Sequence, residues 1–278
     1  MSSPIRFAIN RISAPKMSFT DFAAMAQRLG VEAIEIRNDL PGVELTDGTS
    51  AEFVGAVTQG SGLTLRSTNA LQRFEQFDAA REAEAVALAK YAVESGTQAL
   101  VLCPTNDLKD SRSPDQRHAD LVNSLSKLQP ILAGHGLTGL IEPLGFEECA
   151  VRCKSQAVRA FEEIGTKKHS FRLVHDTFHH DLAGEGLFFP EWTGLVHISG
   201  VEDPAVDVSA MRDGHRVLVG SADRLGNVAQ LRTLLAAGYA GYASFEPFAA
   251  EIAAAKDIEK QLAASMAHLQ DAVASAAH

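Results

Sequence analysis

One property of this chain limits its fold more than any other: short strand-like runs and longer helical runs alternate from end to end. Strand-like runs fall at 5–10, 33–37, 63–68, 99–103, 138–142, 171–176, 195–199 and 242–246. Helical patterns separate them, at 18–29, 79–95, 114–133 and 228–237 for example, and glycines follow Leu29, Ser95 and Ala237, where a helix stop is favoured. A last helix over 251–274 carries Ile252, Ala255, Ile258, Leu262, Met266 and Leu269 on one face. Strands joined through helices run parallel, and eight of them close a barrel. The expected fold is an α/β (β/α)8 TIM barrel, a single domain over residues 1–278, since no linker or low-complexity segment divides the chain. An open dinucleotide-binding sheet would need a Gly-x-Gly-x-x-Gly turn after the first strand, where the chain has Asn10-Arg11-Ile12-Ser13-Ala14-Pro15.

In such a barrel, chemistry sits at the C-terminal ends of the strands. Strands five to eight end in Glu142, Asp176, His197 (followed by Ile198) and Glu246. Side chains alternate faces along a strand. If these four point inward, their outward neighbours Ile141, Val196, Ile198 and Phe245 are apolar, as a helix-facing position demands, and His175 is the exception. A single carboxylate at a strand end is usually a loop cap or a solvated group. Three of them in one mouth repel each other unless a cation lies between them. Glu142, Asp176, His197 and Glu246 are therefore the expected ligands of one divalent metal ion, with Mn²⁺, Mg²⁺, Co²⁺ and Zn²⁺ all compatible with the donor set. His179 begins the next loop or helix and reaches back toward a substrate, whereas His175 and His180 are expected to be structural or exposed, and Asp181 a solvated residue or cap.

An ion so held grips adjacent oxygens of a polyol and acidifies the C–H beside a ketone. Glu142 and Glu246 are the expected catalytic pair, one removing the proton and the other returning it through a cis-enediolate. Arg216, in the loop after strand seven, and Asn69, just after strand three, are further candidates for holding substrate oxygens. Glu35 and Arg37 share inward parity on strand two and are expected to pair with each other or to line the pocket. The Phe188-Phe189-Pro190 run and Trp192 are expected to cover the site or build a subunit contact. His118, His135, His169 and His278 are expected to be exposed.

The net charge of −10 excludes a protein built for nucleic acid or anionic membranes. No apolar run approaches the roughly 18 residues of a membrane-spanning helix. MSSPIRFAIN lacks the basic-then-apolar pattern of a secretory leader. Three cysteines, Cys103, Cys149 and Cys153, are an odd number that fits a reducing compartment, so a cytoplasmic enzyme is expected.

Several segments in order along the chain resemble one family. They are Ile34-Glu35-Ile36-Arg37 with Leu40-Pro41, Asn69-Ala70-Leu71, Ile141-Glu142-Pro143-Leu144-Gly145-Phe146, Val174-His175-Asp176-Thr177-Phe178-His179, His197-Ile198, His215-Arg216-Val217 and Phe245-Glu246-Pro247-Phe248. Together they are similar to the xylose isomerase-like TIM barrels, the sugar phosphate isomerase/epimerase superfamily, and within it most to the inosose (2-keto-myo-inositol) isomerases of inositol catabolism. The resemblance implies a metal on Glu142, Asp176, His197 and Glu246, proton transfer by Glu142 and Glu246, and substrate oxygens held by His179 and Arg216. It implies a small keto-polyol or ketose substrate and, by analogy, a homo-oligomer. Two departures stand out. Ile198-Ser199-Gly200 follows the histidine where the family usually carries acidic residues, and Val219-Gly220-Ser221-Ala222-Asp223 replaces a Pro-Gly-x-Gly turn.

Rival readings share the site. A ketose 3-epimerase, a hydroxypyruvate isomerase or a dehydratase of a cyclic polyol acid all begin by removing a proton beside a carbonyl. A polyol-binding barrel without catalysis is the non-enzyme alternative. The DNA-repair endonuclease branch of the fold needs more ligands on the early strands, which end near Asn10 and Thr68, and a basic surface. No Gly-rich phosphate cradle follows strands seven and eight, which disfavours a phosphorylated substrate.

Overall fold

The computed structural model describes residues 4–165 and 170–275, so His169 and His278 lie outside the described residues. Eight strands form a closed barrel, each parallel to the next: β1 (Arg6–Asn10), β2 (Ala33–Arg37), β3 (Thr64–Gln72), β4 (Ala99–Cys103), β5 (Thr138–Ile141), β6 (Phe171–Asp176), β7 (Thr193–Ile198) and β8 (Tyr242–Phe245). Helices connect them: α1 (Phe19–Arg28), α2 (Ala51–Gly60), α3 (Ala79–Ser95), α4 (Pro114–Gly134), α5 (Lys154–Glu163), α6 (Thr177–Ala183) and α7 (Asn227–Ala236). The chain closes with α8 (Ala250–Ala253) and α9 (Ile258–Ser275). The expected barrel is the observed one.

Helix starts follow local chemistry. Ser18, Ser50, Asp78 and Ser113 each accept a hydrogen bond from a backbone N–H of the first turn, and Pro114 opens α4, where a missing N–H costs nothing. Small and branched residues, including Ala99, Val101, Leu140, Val174 and Leu195, fill the barrel interior. Larger side chains such as Phe22, Leu125, Phe161 and Phe171 occupy the layer between strands and helices, each contributing about 1.5–3 kcal/mol by burial.

Four details depart from the periodicity. β3 runs on to Gln72, so Asn69 lies within the strand. The expected helix 251–274 is broken after Ala253. Ile252 and Ile258 both reach the core across the break, and beside the restart Asp257 accepts the Gln261 side-chain amide at 2.7 Å. Arg66 is an extra residue between the pairs Ile34–Leu65 and Glu35–Ser67, and Gly194 is one between Leu173–Thr193 and Val174–Leu195. Phe188 stacks on His175 and Trp192 packs on Phe161, with centroids 5.3 and 5.1 Å apart, so both join the helix-side layer rather than cover the mouth. His118 and His135 are half-buried, held by Glu163 at 2.7 Å and by the Ile131 carbonyl at 2.8 Å, and not exposed as expected.

Candidate metal centre

Strand parity brings Glu142, Asp176, His197 and Glu246 to one point. One donor atom from each lies within 4.8 Å of all the others, and all four side chains are buried. Glu142 and Glu246 stand one residue past the ends of β5 and β8, yet their backbone N–H groups still bond to Leu102 and Ile198 of the neighbouring strands, at 3.1 and 2.9 Å. Asp176 is divided. Oδ1 accepts the N–H groups of Phe178 and His179 at 2.8 and 3.0 Å, capping α6, and Oδ2 faces the cluster. Gly145 allows the β5 loop to lie against α6: its φ is +71°, and a Cβ there would stand 2.3 Å from the His179 carbonyl oxygen.

His197 is oriented from both sides. Nδ1 faces Glu142 Oε1 at 2.7 Å and Glu246 Oε2 at 3.2 Å, while Nε2 faces Glu35 Oε2 at 3.2 Å. Burial alone would depress this imidazole's pKa, but the charges of Glu246, Glu35 and Glu142 overcome it and raise it well above its ordinary value. The donor set fits a divalent cation: three carboxylates and Nδ1 converge, and Nε2 donates to a carboxylate behind it, the arrangement that fixes a ligating histidine.

Arg216 enters the same cluster. Its Nη2 donates to Asp176 Oδ2 at 2.6 Å and Glu246 Oε2 at 2.9 Å, its Nε to Ser199 Oγ at 3.0 Å, and its Nη1 to Asp213 at 3.1 Å. The loop is pinned by paired 2.8 Å bonds between Gly200 and Val217. Ser199 and Gly200, the departure from the family pattern, thus position the arginine. His179 stands beside it, Nε2 3.5 Å from Arg216 Nη1, and its buried Nδ1 has no hydrogen-bond partner. Arg37 Nη1, from β2, donates to Glu246 Oε1 at 2.6 Å, and Asn10 Nδ2, from β1, donates to the same oxygen at 3.2 Å. Both arginines stack on Phe248, at 5.1 and 4.6 Å. Burial would raise the Glu246 carboxyl, but His197, Arg216 and Arg37 hold it well below the usual range.

The chain from residues 23 to 272 matches the model of the xylose isomerase-like TIM barrel. It belongs to that family. Its structure superposes on a xylose isomerase domain-containing protein from Salmonella typhimurium LT2 with TM-score 0.88 and 32% identity, covering 97% of this chain and 98% of that one. IolI with a binding zinc atom follows at TM-score 0.82 and 20% identity, covering 97% and 98%. D-psicose 3-epimerase from Clostridium cellulolyticum H10 gives 0.76 and 14%, covering 97% and 99%. No curated protein sequence matches the chain.

Within this xylose isomerase-like barrel Glu35 and Arg37, expected to pair with each other or to line the pocket, do not pair with each other. Side chains two apart on a strand project side by side, and each finds its partner elsewhere. Arg37 grips Asp39 and Glu246. Glu35 accepts from Ser67 at 2.5 Å, Asn69 at 3.0 Å, Ser244 and His197. Burial pushes Glu35 up, but the His197 charge and these donors outweigh it and hold it at about 2. Asn69, expected at a turn facing substrate, donates to Glu35 and Ser67 and so reaches the cluster through Glu35. Glu35, Arg37 and Asn10 are the members of the site that strand ends alone did not assign. For Glu35 and Arg37 the signal was there in the inward parity of β2, whereas Asn10 ends β1.

The exception in the parity pattern also has a cause. His175 is fully buried on the helix side of β6. Its Nε2–H donates to Gln230 at 2.8 Å, and its Nδ1 accepts from Lys154 Nζ at 2.9 Å. His180 Nδ1 accepts from the same ammonium at 3.0 Å, and burial holds its pKa down at about 4. Both histidines are structural. Asp181 is a half-buried member of α6.

Proposed function

We propose that the protein is a divalent-metal-dependent isomerase or epimerase of a small keto-polyol, acting by proton transfer through a cis-enediolate, with inosose (2-keto-myo-inositol) as its substrate. Family membership supports the isomerase/epimerase class. The observation that carries the reading is the convergence of Glu142 and Glu246 with Asp176 and His197 in a buried mouth. When bound there, a divalent cation supplies Lewis acidity toward adjacent oxygens of a polyol; the zinc of IolI supports such an ion.

The protein's own groups account for the rest. Glu142 and Glu246 reach the reacting carbons from β5 and β8, so one carboxylate removes the α-proton and the other returns one. Glu246 is held ionised between two guanidiniums. Glu142 Oε1 is engaged by His197, while Oε2 has beside it the Cys103 thiol at 3.6 Å, which burial and then the Glu142 charge keep protonated. Arg216, together with His179, whose buried Nδ1 has no partner, would supply donors to an oxyanion forming in the mouth. The small size of such a substrate, the net charge of −10 and the free thiols support a reaction on a soluble metabolite in a reducing cytoplasm. No helix among the described residues is long and apolar enough to cross a membrane.

Ketose 3-epimerisation is the second reading, favoured by the likeness to D-psicose 3-epimerase. Incubation with inosose, tagatose and hydroxypyruvate in D₂O with Mn²⁺, read by NMR, separates the readings. A product with one solvent deuteron beside the ketone is expected from inosose. Turnover of tagatose or hydroxypyruvate instead moves the substrate assignment. Binding without deuterium exchange would leave a polyol-binding barrel and sink the catalytic claim.

A further inference from the structure

The opposite, N-terminal end of the barrel has its own charge arrangement. Arg6, Arg66 and Arg172 come from the first residues of β1, β3 and β6. Arg6 is neutralised by Glu32, and its guanidinium lies over the Tyr242 ring at 4.4 Å. Arg66 and Arg172 have no such partner: among the described residues no carboxylate lies within 4.0 Å of either.

Two bulges create this pair. The extra residue on β3 is Arg66 itself, and its Nη2 crosses the barrel floor to the Gly194 carbonyl at 2.9 Å. The extra residue on β7 is Gly194. A Cβ there would stand 2.9 Å from Arg172 Cβ and 3.2 Å from its Cδ, so only glycine leaves room for that side chain. Arg172 Nη2 donates to the next carbonyl along, Thr193 O, at 2.7 Å. Consecutive carbonyls of β7 thereby hold two guanidiniums together. Each also lies close enough to Tyr239 to act on its phenol. The two oppose each other: burial first, and last the neighbouring Arg172 charge, depress Arg66 against the opposite pull of Tyr239, Glu35 and Tyr242. An arginine does not relieve such repulsion by losing its proton. The buried Nε of Arg172 has no hydrogen-bond partner. Both guanidiniums line a cavity of about 550 Å³ that opens at the floor, where Glu191 gives Arg172 only its carbonyl, at 3.4 Å.

We propose that this floor is a binding site for a small oxyanion, held between Arg66 and Arg172. Planar guanidinium forks match the oxygens of phosphate, sulfate or a carboxylate, and an anion between the two groups would cancel their repulsion. The site shares no residue with the metal centre, so it stands whether or not the proposed reaction does.

The test uses the full chain. Thermal unfolding is followed with sodium phosphate, sulfate or acetate against sodium chloride at matched ionic strength, alongside ³¹P line broadening of inorganic phosphate. Wild type should gain stability with anion concentration as mass action requires and should broaden the phosphate signal at millimolar concentration. Arg66→Gln and Arg172→Gln should each weaken binding at least tenfold, which separates the floor from phosphate held by the mouth arginines. A response to phosphate and sulfate assigns a tetrahedral anion, and a response to acetate alone assigns a carboxylate; either supports the site. Equal responses in wild type and both variants overturn it, as does the absence of any response beyond chloride. Absence of line broadening in wild type overturns the proposal with no variant at all, so a variant that fails to fold does not protect it.

Discussion

At the mouth of the barrel four buried carboxylates, Glu35, Glu142, Asp176 and Glu246, face one imidazole and two guanidiniums; at the floor Arg6 pairs with Glu32, while Arg66 and Arg172 have no carboxylate within 4.0 Å among the described residues. Backbone geometry produces both: regular alternation aims the mouth residues inward, and two bulges set the floor pair. What differs is what each end does with its excess. The mouth brings cationic side chains in from β2, β7 and the loop beyond it, and leaves a donor set that fits a metal ion. The floor leaves two arginines pressed together on β7 carbonyls. Charge inside a barrel is costly unless matched, so an unmatched cluster points to the sign of what it binds.

Removing charge without removing volume at the mouth should give the largest effect. Glu142→Gln and Glu246→Gln are each expected to lower kcat/KM by about 10³-fold or more, about 4 kcal/mol of barrier. Steady-state kinetics on the substrate found in D₂O measures it. Turnover surviving in both variants would dissolve the catalytic contrast between the two ends.

Next in size is the role of Arg216 as internal counter-charge. Arg216→Met leaves Asp176 and Glu246 facing each other with one cation fewer. In chelator-treated protein it should cost about 3–5 kcal/mol of stability by urea unfolding. Saturating Mn²⁺ or Zn²⁺ should restore more stability to the variant than to wild type, because the ion then replaces the missing charge. Equal metal responses would mean that the arginine and the ion do not share a task.

The mouth was legible in the sequence because its signal is local. Four polar residues end four marked strands with apolar neighbours, and alternation aims them. Glu35 was ambiguous because its partners lie 32 residues away at Ser67 and 162 away at His197. Only barrel closure, with β1 paired to both β2 and β8, brings such residues together. Asn69 was misplaced because Asn reads as a turn residue, while β3 runs on to Gln72. The floor was illegible for a different reason. It depends on two bulges, and a bulge is an interruption of the alternation on which the strand reading rests, so nothing in a period of two marks Arg66 or Gly194. The last helix misled in the opposite sense: its apolar spacing continues smoothly across a break.

Lys154 is an intermediate case that sharpens the contrast. It is a buried cation with no carboxylate on its ammonium among the described residues, held by His175 and His180 at 2.9 and 3.0 Å and lying over Phe188 at 5.2 Å. Unlike an arginine, it can shed its charge, and burial brings its pKa down to about 8. An unfolded lysine titrates near 10.4. Between these values the unfolded chain binds more protons at this residue than the folded one, so its contribution to stability rises with pH from about 8 and levels off above about 10, with a slope of at most about 1.4 kcal/mol per pH unit. The buried thiols Cys103 and Cys149 act in the opposite direction, because folding raises their pKa values and favours unfolding as pH rises. The lysine is therefore read as a difference: between pH 8 and 9, wild type should gain about 1 kcal/mol relative to Lys154→Met by chemical denaturation. Parallel pH curves for the two proteins would mean that the ammonium is not strained, and that a buried cation in this barrel needs neither a counter-ion nor the loss of its proton. The charge argument for the floor would then lose its support as well.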